Sequence, residues 1–91
     1  MKISITGLEM PGCNVIVELN DGYGSIRSYT IHLASKTILH RAGQHGLVRK
    51  KILGEDDINI SLGKILHIPC VGQGDAGAIH GTVVSVKIVQ A

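Results

Sequence analysis

The chain has 91 residues, 44% of them hydrophobic but only 2% aromatic, and carries a formal charge of +2. That length favours a single β-rich domain over residues 1–91, burying about 60 to 65% of the surface its unfolded chain would expose. Lysines, glycines and acids interrupt every apolar run before it reaches the roughly 18 to 20 residues a membrane-spanning helix needs, so the expectation is a soluble, cytoplasmic protein with no membrane partner.

With no Phe and no Trp, the core has to come from Ile, Val and Leu, whose branching suits pleated sheet. The apolar share exceeds what one small core hides, and a surface surplus of that kind predicts a homo-oligomer. At the start of the chain, "MKISITGLEMPGC" mimics a lipoprotein signal ending at Cys13. Ser4, Thr6, Glu9 and Pro11 leave it no adequate apolar segment, and no secretion signal is expected. Cys13 and Cys70 are therefore expected as reduced thiols, although on export they could form one disulfide.

Taken in chain order, the residues alternate with period two almost throughout. In "KISITG", Ile3 and Ile5 alternate with Lys2, Ser4 and Thr6, and Pro11 and Gly12 then break the pattern. "CNVIVELN" places Val15, Val17 and Leu19 on one face of a second strand. "NDGYG" carries the Asp-Gly pair that favours positive φ, and in "SIRSYTIHLA" Tyr29, Ile31 and Leu33 alternate again, which predicts a hairpin. The segment "KTILHRA" reads two ways: a two-turn helix capped by Ser35 and ended by Gly43, or continued strand, since Thr37 and Ile38 are β-branched and no capping box is present. "GLVRKKIL" suits a short strand. In "DINISLGKILHIPC", Ile58, Ile60 and Leu62 are in register and Leu66, Ile68 and Cys70 resume it, with Gly63 as a tight turn or a bulge. Finally, "AIHGTVVSVKIV" has Val84, Val86 and Ile88 on one face while Val83 and Val89 lie on the other, a pattern that predicts self-association through Val83 to Val89. The fold expected is all-β with at most one short helix, a small antiparallel barrel or sandwich of about five to seven strands.

Motifs for chemistry are sparse. Gly72, Gly74 and Gly77 match G-x-G-x-x-G, but a dinucleotide site needs a helix after the glycines, and here β-branched, alternating residues follow. The stretch reads as a mobile glycine-rich connection between two strands. The five histidines, His32, His40, His45, His67 and His80, lack the close pairs of a zinc site, so no metal is expected. Glu55, Asp56 and Asp57 read as a solvated turn, no nucleophile elbow exists, and neither a catalytic residue nor a cofactor is assigned.

Charge distribution stands out. From Gly22 to Gly54 there are Arg27, Lys36, Arg41, Arg49, Lys50 and Lys51, three of the histidines, and no Asp or Glu. The binding residues predicted from this basic middle are Lys36, Arg41, His45, Arg49, Lys50 and Lys51, although an alternating strand would put Arg49 and Lys51 on one face and Lys50 on the other. Such a surface attracts a nucleotide, a nucleic acid or an acidic protein face. With only Tyr23 and Tyr29 to stack on bases, phosphate contact is favoured over single-strand recognition. The function expected is non-catalytic binding of an anionic partner by a self-associating protein, of the kind phages and mobile elements encode as inhibitors or ligand sequesterers. The alternatives are a structural subunit of a virion or shell, and an enzyme built on scattered histidines and acids.

Overall fold

The computed structural model describes residues 1–10, 12–41, 46–72 and 75–89, with the backbone alone for Asp75 and Ala76. Among them there are nine strands and no helix: β1 (Ile3–Ile5), β2 (Leu8–Glu9), β3 (Asn14–Asn20), β4 (Ile26–His32), β5 (Thr37–Arg41), β6 (Leu47–Ile52), β7 (Ile58–Ile60), β8 (Ile65–Gly72) and β9 (Asp75–Val89). Six of them close into a barrel in the order β3-β4-β5-β6-β8-β9, and the other three form a small sheet, β2-β1-β7. The barrel pairs are all antiparallel, whereas β1 and β7 run parallel, Ile3 beside Ile58 and Ile5 beside Ile60. None of the helices that would cross a membrane is found among the described residues.

The alternation read from the sequence decides what is inside. Val15, Val17, Leu19, Tyr29, Ile31 and Ile38 are buried on the inner face of the first three barrel strands. Ile3, Ile58 and Ile60 of the small sheet join the same cluster, so that sheet covers the barrel end at which β6 finishes and β8 begins. Burying branched side chains from both sheets at about 25 cal/mol per Å² of apolar area is the main stabilising term. Cys70 is buried within this core, Cys13 is half-buried with its thiol donating to the Met10 carbonyl, and both are free.

Local chemistry explains the connections. The β3–β4 hairpin is the one expected. Asp21 Oδ1 accepts the N–H groups of Tyr23 and Ser25 at 2.7 and 3.2 Å, Asn20 Oδ1 accepts that of Gly22, and Gly22 adopts a φ of 85° that an L side chain resists. The ambiguous segment is strand, not helix. The Ser35 hydroxyl bonds the Thr37 hydroxyl at 2.7 Å instead of capping a first turn, and Lys36 takes a left-handed φ of 56° that turns the chain into β5. Gly63 is a tight turn, φ 78°, between β7 and β8, and Leu62 beside it is exposed instead of continuing the register of Ile58 and Ile60. Gly72 and Gly77 are themselves strand residues, paired with Asp75 and Cys70. The glycine motif is therefore the closing hairpin of β8 and β9, and only its link, Gln73 and Gly74, lies outside the described residues.

The last strand corrects an expectation. A register shift opposite Glu18 and Leu19 makes Val84 an extra residue in β9, so Leu19 pairs with Val83 while Glu18 pairs with Ser85. Val83 is consequently inside the barrel, 1% exposed, and offers nothing to a second copy, whereas Val84 is 42% exposed. The sequence pattern could not reveal this because a bulge inverts the alternation beyond it.

Candidate functional site

The basic residues predicted from the sequence are carried chiefly by the β5–β6 hairpin. Its register sets Thr37 beside Lys51, Leu39 beside Arg49 and Arg41 beside Leu47 on one face, and Ile38 beside Lys50 and His40 beside Val48 on the other. Ile38 is fully buried, so Lys50 faces inward and Arg41, Arg49 and Lys51 face outward. Arg49 and Lys51 stand two residues apart and Arg41 is diagonal to Arg49, at separations of about 7 Å.

The outward face continues on both sides of the hairpin. On β4 it presents Ser28, Thr30 and His32, and across β8 it presents Val71, Pro69 and His67, with His67 set edge-on to His80 of β9 at 5.5 Å between ring centroids. Among the described residues no carboxylate projects from this face of β4, β5, β6 or β8. Glu18 is on β3 and is engaged by the Ser85 hydroxyl. The absence of acids follows directly from their absence between Gly22 and Gly54.

Two predicted residues are not part of this strip. Lys36 lies in the β4–β5 turn at the opposite end of the hairpin, where its ammonium donates to the Gly54 carbonyl at 2.9 Å and pairs with Glu55. That pairing holds the Glu55 carboxyl below its ordinary range. Lys50 is the inward one. His45 lies outside the described residues.

Inside the barrel, Lys50 belongs to a second group that sequence reasoning did not assemble. Arg27 pairs with buried Leu19, which turns it toward the inner side at the rim, and His40 lies between Arg27 and Lys50 on the intervening strand. The His40 ring packs at 5.1 Å on the ring of Tyr29, and its Nε2 is buried without a hydrogen-bond partner among the described residues. Burial first, then the charges of Lys50 and Arg27, hold His40 below the ordinary imidazole value, so it is neutral at neutral pH. Cross-strand register creates this group, and no spacing within the sequence signals it. Gly72 makes room for it: a Cβ there would meet Lys50 Cγ at 3.2 Å.

Elsewhere, a groove of about 410 Å³ lies between β7 with the preceding turn and the first half of β8. Among the described residues no three of His, Cys, Asp and Glu are gathered as a metal would need. No protein family, curated protein or solved structure matches the chain.

Proposed function

We propose that the protein is a non-catalytic binding module that engages an extended anionic partner through the outward face of the β5–β6 hairpin. The observation that carries this reading is the alignment of Arg41, Arg49 and Lys51 on one face that the described residues of β4, β5, β6 and β8 leave without a carboxylate. Cations arranged this way are held by a rigid ladder and attract phosphate or carboxylate groups at long range. The aromatic inventory favours contact with a polyanion backbone over base stacking, since Tyr29 is buried and Tyr23 is alone in a turn.

The test uses a duplex DNA oligonucleotide as the polyanion probe. Its affinity is expected to fall steeply with salt, and the double change Arg49→Glu with Lys51→Glu to weaken it by about tenfold or more at low salt, since both attraction and counterion release are lost. Lys36→Glu serves as the comparison, because that lysine is already paired with Glu55. Affinity unchanged by the double reversal, in a variant that retains its β circular dichroism, sinks the proposal.

Self-association forms part of the same reading. It is supported by the exposed apolar side chains Ile26 and Leu47, which share the outward face and the same barrel end as Arg41.

A further inference from the structure

The barrel wall has a gap. β6 pairs with β8 at only two positions, Lys51 with Val71 and Ile52 with Cys70, before β6 turns away toward Gly54. One further bond, from the Leu53 N–H to the Pro69 carbonyl at 3.0 Å, ends the contact. Earlier in β8, Ile65 to Ile68 are paired with β9 on one side, and no strand among the described residues pairs with them on the other.

The direction of the open backbone groups follows from the ladder. In an antiparallel strand both polar groups of a residue point to the same side, and the side alternates along the chain. The Pro69 carbonyl faces β6, and the Lys64 carbonyl faces β9, where it accepts the Val83 N–H at 2.9 Å. By alternation the N–H and C=O of Ile65 and His67 face the gap. From Ile65 to Pro69 this edge runs roughly 13 Å at about 3.3 Å per residue.

The gap is the groove described above. Its floor is apolar, made by Ile52, Ile58, Leu66 and Ile68, and the turn before β7 brings Asp56 and Asp57 to its lining. Asp57 already accepts the Lys2 backbone N–H at 2.9 Å, while Asp56 makes no ion pair among the described residues. Among the described residues β7 also has a strand partner on one side only, β1.

We infer that this groove is a docking site for an extended, basic segment of a partner protein, which adds as a strand to the open edge of β8. The open N–H and C=O groups of Ile65 and His67 call for a β-strand, the apolar floor accepts alternate side chains, and the aspartates call for lysine or arginine at the positions between. The edge strand β2 of a second copy is a poorer occupant. It carries Glu9, and the groove presents Asp56 and Asp57 to it, so like charges would meet. The site adjoins the cationic face, with which it shares Pro69 and His67, and the aspartates of the turn before β7 give its other wall the opposite charge.

The experiment titrates the ¹⁵N-labelled chain with short capped peptides. A peptide alternating lysine and valine is expected to shift the Ile65 and His67 amide signals and to slow their hydrogen exchange by about tenfold. Asp56→Asn is expected to weaken it by about twofold to fivefold, the scale of one exposed charge pair. The same peptide with proline in place of valine cannot keep the regular extended ladder of a strand and is expected not to bind. The inference is overturned if the proline peptide or a glutamate–valine peptide binds as well. It is also overturned if the lysine–valine peptide leaves both amides unaffected, or if the open edge proves to be covered in solution by a second copy, seen as concentration-dependent protection of the same amides without peptide.

Discussion

A Cβ on Gly81 would stand 2.7 Å from the Asn20 carbonyl oxygen and 2.9 Å from the Leu19 Cβ, both on β3 across the barrel seam. Neither neighbour is the free end of a flexible side chain, so Gly81→Ala is expected to destabilise the protein by about 1 to 3 kcal/mol in a chemical denaturation midpoint. Gly72→Ala meets the flexible Lys50 stem at 3.2 Å and is expected to cost less. His40 gives a prediction in pH. Its folded-state pKa is lowered by burial and then by Lys50 and Arg27, so the unfolded chain binds its proton more readily than the native one. The stabilising contribution is complete above the ordinary histidine value of about 6.5 and is lost as pH falls below it, toward the lowered native value. Thermal melts between about pH 7 and pH 5 are expected to fall less steeply in His40→Phe than in the parent chain. An equal slope in both would mean that the imidazole is not the group responsible.

Strands bring these residues together, and β9 is the one where an extra residue matters most. Val83 and Val84 are chemically identical neighbours, yet the bulge sends the first into the core and leaves the second exposed. Val83→Lys places a charge among apolar side chains and is expected to cost more than about 3 kcal/mol or to abolish folding. Val84→Lys is expected to stay within about 0.5 kcal/mol. Paired denaturation curves check both, and equal costs would contradict the register shift. On the β5–β6 hairpin the same logic separates structural from binding charges. Arg49→Glu with Lys51→Glu is expected to leave the melting temperature nearly unchanged, because exposed charges contribute little to folding. Of this hairpin only the second strand was legible, as the short strand in "GLVRKKIL", while β-branched Thr37 and Ile38 beside a potential Ser35 cap left helix and strand both open for the first. Strand pairing on both sides of β5 decided it.

The whole molecule has a Cα radius of gyration of 12.3 Å, against the roughly 12 Å expected for a compact chain of this length. Its surface still exposes Leu8, Tyr23, Ile26, Leu47, Leu62 and Ile65 by more than half. The proposed self-association predicts a species larger than a monomer at micromolar concentration in sedimentation. Ile26→Lys with Leu47→Lys is expected to shift it toward monomer while the β circular dichroism persists, and a parent chain that sediments as a monomer removes the idea.

Period-two alternation of branched residues was enough to specify an all-β fold, the inner faces of β3 and β4, the Asp21–Gly22 hairpin and the acid-free basic middle, because each is a property of neighbouring residues and of rules local to a strand. Tertiary structure decided what depends on pairing over distance. Barrel closure turned Lys50 inward beside His40 and Arg27, the bulge reversed Val83 and Val84, and Lys36 was drawn to Glu55 across a turn. The open edge of β8 also belongs to this second kind. It exists because β6 leaves the barrel after Ile52 to reach the small sheet, and a gap between strands is fixed by where partners are missing, which no local pattern of side chains records.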